Sequence, residues 1–136
     1  MPENAINQFL DGDVFAVAGA SQNRNKYGNK VLRAYMQADR KVFPIHPAAD
    51  VVEGLDVYRD LASLPTAVHG LSVVTPPTVT ESLIEQAADL NIQQIWLQPG
   101  AESPRAIRMA EEAGINLIHS GPCLLVVLGY RETDLP

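Results

Sequence analysis

Val14-Phe15-Ala16-Val17-Ala18, running on into Gly19-Ala20-Ser21-Gln22-Asn23-Arg24-Asn25-Lys26-Tyr27-Gly28, decides the fold. An unbroken apolar run that stops at a glycine predicts a strand covered on both faces, since a sheet wetted on one side alternates apolar with polar residues. Beyond the loop, Val31, Leu32, Tyr35 and Met36 recur at helical spacing. Lys41-Val42-Phe43-Pro44-Ile45 then reads as a second strand, expected near an edge or to end irregularly because Pro44 has no N–H to give to a neighbour. Working outward, Ala5, Ile6, Phe9 and Leu10 predict an opening helix stopped by Gly12. Gly54 to Tyr58 is expected to be a short extended piece, and Arg59 to Leu64 one helical turn stopped by Pro65. Gly70 to Thr75 is a third strand ending at Pro76-Pro77. Thr78 and Glu81 match a capping box, ahead of a helix whose apolar face is Val79, Leu83, Ile84, Ala87 and Ala88. Gln94 to Gln98 is a fourth strand broken by Pro99-Gly100, and Ser103-Pro104 supplies an N-cap with proline at the first helical position. Gly114 closes that helix before a fifth strand, Ile115 to His119.

Strands alternating with helices predict an α/β architecture, a five-stranded, mainly parallel sheet with helices on both faces. Right-handed crossovers bring every strand's carboxyl end to one edge, where such sheets bind ligands. The rule gathers Gly19-Ala20-Ser21, His46-Pro47, Thr75-Pro76-Pro77 and Pro99-Gly100 into one neighbourhood.

Composition sets the limits. At about 100–200 residues per domain, the chain of 136 residues is expected to form a single domain over residues 1–136. A hydrophobic fraction of 46% with 19% charged residues is globular rather than disordered. Net charge −6 argues against nucleic acid as partner. One cysteine permits no internal disulfide, which fits a reducing cytoplasm. The opening Met-Pro-Glu-Asn lacks a signal peptide's basic region, and no apolar run suits a membrane helix. A homodimer is open. Within this acidic chain, Arg24, Lys26, Lys30, Arg33, Arg40 and Lys41 cluster with only Asp39 against them. Most are expected to be a solvated helix face, yet they lie beside a glycine-bearing loop where a small polyanion would be held.

The loop itself carries the strongest signal. Small residues let backbone N–H groups approach a phosphate, and the following helix start adds partial positive charge. Ser21 offers a hydroxyl, and Arg24 and Lys26 offer charge-assisted bonds. An ordinary strand–helix turn with Gly28 near the cap is the alternative. The dinucleotide fingerprint G-x-G-x-x-G is missing, as is the nucleotide-triphosphate loop G-x-x-x-x-G-K-[ST]. A NAD site wants an acid at the end of the second strand, where this chain has Ile45-His46-Pro47. NAD is therefore disfavoured, and a nucleotide with an additional ribose phosphate stays open.

Val17-Ala18-Gly19-Ala20-Ser21, Lys26-Tyr27-Gly28, Phe43-Pro44-Ile45-His46-Pro47, Glu53-Gly54-Leu55, Val73-Val74-Thr75-Pro76-Pro77, Ile95 to Ser103 and Gly114-Ile115 follow one another in an order that resembles the small single-domain coenzyme A-binding proteins. These are similar to the N-terminal domain of the succinyl-CoA synthetase α subunit. The resemblance implies a Rossmann-like three-layer fold carrying coenzyme A, or an acyl-CoA, along the carboxyl edge of five parallel strands. It implies that Gly19, Ala20 and Ser21 meet the phosphates, helped by Arg24, Lys26 and the Tyr27-Gly28 helix start. Ile45, His46 and Pro47 would flank the nucleotide end, and Val74, Thr75, Pro76 and Pro77 would line the diphosphate or pantetheine path. His46 stands where the family commonly has Asn, so its hydrogen bonds are expected to differ. Cys123 follows a Gly-Pro step that departs from the family's pattern.

Catalytic machinery is not expected. The synthetase reaction uses a phosphorylated histidine outside its coenzyme-binding domain, and this chain ends soon after its fifth strand. His46, His69 and His119 make no metal pattern, and His69 is expected at the surface. Cys123 reads as a buried or partly buried thiol without catalytic duty, and Glu102, near the expected ligand edge, reads either as a base or as a charge explained by its helix start. The expected function is coenzyme A binding. A thiol-dependent redox regulator or enzyme subunit using bound coenzyme A, a NAD-type module, and an interaction subunit with a vestigial nucleotide site are the alternatives.

Overall fold

The computed structural model describes residues 2–121 and 123–132, so Pro122 of the Gly-Pro step lies outside the described residues. In chain order the elements are α1 (Pro2–Leu10), β1 (Val14–Ala18), α2 (Tyr27–Gln37), β2 (Lys41–Ile45), β3 (Val51–Val52), β4 (Leu55–Asp56), a 3-10 turn (Leu61–Ser63), β5 (Gly70–Val73), α3 (Pro77–Asp89), β6 (Gln94–Leu97), α4 (Pro104–Glu112), β7 (Asn116–Ile118) and α5 (Leu124–Val127). Five strands form one parallel sheet in the order β2-β1-β5-β6-β7. The order reverses between β1 and β5, because one crossover leads from β1 outward to β2 and the next returns past β1 to β5. Pro44 lies on the edge strand, as its missing donor requires.

Pleating divides the core between two faces. Ala16, Ala18, Leu71, Val73, Ile95 and Leu97 turn to the side covered by α3, α4 and the 3-10 turn, which contribute Leu83, Ile84, Ala87, Ala106, Ala110 and Leu61. Phe15, Val17 and Trp96 turn to the other side, against Phe9 of α1, Val31, Leu32 and Tyr35 of α2, and Leu124 of α5. Each fully buried large apolar side chain stabilises the fold by about 1.5–3 kcal/mol relative to exposure. Aromatic rings dominate this second face: Phe9 meets Trp96 edge-on at 5.4 Å and Phe15 stacks on Tyr35 at 5.1 Å. The Tyr35 hydroxyl is paired with Ser72 Oγ at 2.6 Å, which lets both groups be fully buried. The result is the expected α/β Rossmann-like three-layer sandwich.

Some local expectations need correction. Thr78 and Glu81 do not form a capping box: α3 starts at Pro77 with Pro76 at its cap and no side-chain cap. Thr80 occupies the buried position instead and pairs with Thr75 Oγ1 at 2.8 Å, while Glu81 accepts a bond from Ser103 Oγ at 2.7 Å. Leu83, Ile84 and Ala87 of the expected stripe are buried, while Val79 and Ala88 are exposed. Arg33 is not part of a solvated face but 6% exposed. Arg40 is likewise structural, donating from Nη1 to the Leu10 and Gly12 carbonyls. His69 is half-buried, its Nε2 2.9 Å from the Gln8 carbonyl. Ser103 does cap α4, accepting from the Ala106 N–H at 3.0 Å, and Gly114 follows that helix at φ +72°. Among the described residues no helix is long and apolar enough to cross a membrane.

Candidate functional site

Where the strand order reverses, the connections leaving β1 and β5 diverge to opposite faces and open a crevice at the carboxyl edge. A cleft of about 610 Å³ occupies this position. Its walls come from the ends of β1 (Ala18, Gly19), β2 (Ile45, His46, Pro47) and β5 (Val74, Thr75, Pro76), and from the start of α2 (Lys26, Tyr27, Gly28). Ser21, Arg59, Asp60 and the Val79, Ser82, Leu83 and Gln86 side of α3 complete it.

Two glycines let the chain pass through this corner. Gly19 has φ +92°, and a Cβ there would stand 2.1 Å from the Val74 carbonyl oxygen. A Cβ on Gly28 would stand 2.0 Å from the Gly19 carbonyl oxygen, so α2 begins in direct backbone contact with the end of β1. Gly19 N–H donates to the Ile45 carbonyl at 3.0 Å, and Val74 N–H to the Ala18 carbonyl at 2.9 Å, which ties all three strand ends together.

Neither α2 nor α3 has a side-chain N-cap. The first-turn amides of α2, together with its dipole, favour negative charge beside Lys26, Tyr27 and Gly28. Ser21 Oγ accepts from the Asn23 N–H at 3.0 Å, which leaves its hydrogen as a donor. His46 Nδ1 accepts from the Ala48 and Ala49 N–H groups, each at 3.1 Å. The ring thus plays the part an Asn carbonyl plays in an Asx-turn, and its proton resides on Nε2, a donor. Arg59 is anchored by Nη1 to the Pro47 carbonyl at 3.1 Å, which adds a guanidinium at the end of β2.

Tyr27 forms a wall of the cleft, with its hydroxyl on the far side. That hydroxyl contacts Cys123 Sγ and donates to Gln98 Oε1 at 3.3 Å, and Gln98 Oε1 also accepts the Leu124 N–H at 3.0 Å. Burial pushes the Tyr27 hydroxyl well above its ordinary value, and the Cys123 contact adds to the effect. Cys123 is half-buried, as expected.

Of the residues singled out from sequence, Gly19, Ser21, Lys26, Tyr27, Gly28, Ile45, His46, Pro47, Val74, Thr75 and Pro76 line the cleft. Ala20 is buried beneath the loop, Pro77 is the first residue of α3, and the Arg24 side chain is directed to Glu53, with Nε 3.5 Å from Oε2. Pro99 and Gly100 line a neighbouring hollow of about 290 Å³ that shares Val74, Thr75 and Pro76 with the cleft. Glu102 accepts the Gly100 N–H at 2.9 Å. His119 lies apart, with Nδ1 2.6 Å from Ser120 Oγ. Among the described residues no three His, Cys, Asp or Glu side chains are grouped to hold a metal ion.

Sequence reasoning missed Arg59 and the α3 wall. Arg59 had no sequence signal: only in the fold does Tyr58 pair with Ile45 and so bring Arg59 to the end of β2. Val79, Leu83 and Gln86 had one, at spacings of four and three on a single helix face.

A family model for the CoA binding domain matches residues 13–129. A conserved hypothetical protein from Pyrococcus furiosus is 35% identical with a TM-score of 0.81, over 85% of this chain and 99% of that one. A hypothetical protein from Pyrococcus horikoshii OT3 is 21% identical with a TM-score of 0.85, over 93% of this chain and 88% of that one. The same fold recurs in the dinucleotide forming acetyl-coenzyme A synthetase 1 of Ca. Korarchaeum cryptofilum, at 21% identity and a TM-score of 0.70, over 82% of this chain but 27% of the enzyme. Since the family match begins just before β1 and runs past α5, taking in every element that shapes the cleft, the chain belongs to the CoA binding domain family.

Proposed function

We propose that the cleft at the strand-order reversal binds coenzyme A or an acyl-CoA, and that binding rather than a complete catalytic cycle is what this chain supplies. The observation that carries the reading is the approach of Gly19, Gly28 and Val74 within one corner, which exposes an uncapped helix start beside Lys26 and the Ser21 hydroxyl. Gly19, Ser21 and the first turn of α2 take the diphosphate, with Lys26 as counter-charge; Ala20 and Arg24 act from behind by shaping the loop. Ile45, His46 and Pro47 flank the adenosine. His46 Nε2–H and Arg59 stand where folds of this type recognise the ribose, and a ring N–H donor beside a guanidinium there suits a 3′-phosphate. The mildly polar pantetheine arm follows Val74, Thr75 and Pro76 at the start of α3 (Pro77) toward the hollow beside Pro99 and Gly100.

A ligand that binds only the folded state raises its melting temperature in proportion to the logarithm of concentration over Kd. Coenzyme A is expected to raise it more than 3′-dephospho-coenzyme A, and both more than NAD. Equal shifts, or none, would reject the assignment.

The Tyr27–Cys123 contact behind the cleft wall favours one second reading, thiol exchange. The Cys123 thiolate would attack coenzyme A disulfide, form a Cys123–coenzyme A mixed disulfide and release one coenzyme A thiolate. Intact-mass measurement after incubation with that disulfide decides it, and an unmodified mass removes the reading.

A further inference from the structure

Asn29 does not line the cleft, yet it is the most fully engaged polar side chain near it. It is fully buried in the first turns of α2, where an unsatisfied amide would lose its hydration without replacement. Its Nδ2 donates to the Ser21 carbonyl at 2.8 Å and to Glu53 Oε2 at 3.1 Å. Its Oδ1 accepts from Arg33 Nε at 2.7 Å, and Arg33 Nη2 in turn donates to the Arg24 carbonyl at 2.7 Å. One helix therefore grips the loop at two carbonyls, directly at Ser21 and through Arg33 at Arg24. Glu53, at the turn between β3 and β4, closes the network from outside, with Arg24 Nε 3.5 Å away.

We infer that Asn29, backed by Arg33 and Glu53, is a positioning residue that presets the loop for phosphate, an inference that rests on the coenzyme-binding reading above. The geometry is simple. A peptide unit is planar and trans, so holding the Ser21 carbonyl toward Asn29 turns the Gln22 N–H the opposite way. The same grip fixes Ser21, which lines the cleft. A loop preset in this manner avoids the ordering cost that a loose loop pays on binding. Nothing in the network touches the pantetheine path, so its loss falls selectively on phosphate recognition.

The test titrates coenzyme A and phosphate-free pantetheine, by calorimetry and ligand-observed NMR, into the wild type, Asn29→Ala and Glu53→Ala. The expected result is a loss of at least about tenfold in coenzyme A affinity for Asn29→Ala and a smaller loss for Glu53→Ala, with pantetheine changed less than about twofold; tenfold corresponds to about 1.4 kcal/mol. Unchanged coenzyme A affinity, or equal losses for both ligands, overturns the inference. Should Asn29→Ala not fold, Glu53→Ala on the half-buried turn decides by the same criterion. Amide hydrogen exchange at residues 21–25 in the free protein separates the two claims. Faster exchange in the variants is expected. If exchange quickens but the wild type binds no coenzyme A, the coenzyme reading fails and the inference about phosphate with it, leaving only the pinned loop.

Discussion

Gly28→Ala sets two physical rules against each other. Gly28 is the second residue of α2, and by helix propensity alone alanine there should stabilise the protein by about 1 kcal/mol. The new Cβ, however, would stand 2.0 Å from the Gly19 carbonyl oxygen. An ordinary C···O contact is about 3.3 Å, so α2 and the end of β1 would have to separate by roughly 1.3 Å. Both partners are main chain, with no flexible side chain to give way. Overpacking of this kind costs about 1–3 kcal/mol, and a rigid contact belongs at the upper end. Net destabilisation of about 2 kcal/mol follows. With an unfolding entropy of about 2.1 cal/mol/K per residue, that lowers Tm by about 7 °C. Circular dichroism melts of the two proteins measure it directly, and titration with coenzyme A should show weaker binding in the variant because the corner has opened. A variant that melts at or above the wild-type temperature and binds the coenzyme normally would refute the claim that this backbone contact shapes the site.

Arg59→Ala is expected to lower coenzyme A affinity by about tenfold, as for loss of a charge-assisted bond of about 1.5 kcal/mol, while leaving 3′-dephospho-coenzyme A unaffected; equal losses would move the 3′-phosphate elsewhere. His46→Asn should keep coenzyme A binding within a few-fold, because an amide oxygen can accept the Ala48 and Ala49 N–H groups, whereas His46→Ala should weaken it more; calorimetry on both compares them. Tyr35→Phe leaves the buried Ser72 hydroxyl without its partner and should cost about 1–2 kcal/mol in urea unfolding. Burial holds the Tyr35 and Tyr27 hydroxyls above their ordinary value, so both stay protonated in the folded state while the unfolded chain loses those protons above about pH 10. The unfolded state then binds fewer protons, and stability should fall as pH rises past that point, less steeply in Tyr35→Phe; urea midpoints between pH 8 and 11 provide the check.

Much of the fold was legible because its strands are short apolar runs with clear stops. The bounds of β1 and β2 coincide with those expected, and of the two readings Pro44 allowed, an edge strand or an irregular end, the edge position is the one found. What escaped was structure with little apolar signature. β3 and β4 are two residues each, joined by a Glu53-Gly54 turn in which Glu53 adopts φ +49°, a conformation its residue type does not announce. α5 spans four residues and rests on Leu124, which is too little to set a period. The α3 face was read correctly at Leu83, Ile84 and Ala87 but not at its start, because Thr80 counts as polar yet is buried through its bonds to Thr75 and Pro76. At the site, glycines and strand ends pointed to the right corner, since topology places them there. Arg59, Asn29 and Glu53 were invisible as functional candidates because their parts depend on a hairpin and on partners far along the chain.

The edge strand has one more implication. Residues 42, 44 and 46 alternate outward from the sheet, with Gly19 and its neighbours taking the inward groups. Tyr58 already uses the Pro44 carbonyl and the His46 N–H, and proline has no donor to offer. Val42 is left as the only outward docking point, too few to template a strand from another molecule. This margin of the sheet is therefore closed to growth, and a second copy that associates with this protein has to meet it through side-chain surfaces rather than by adding to the ladder at β2.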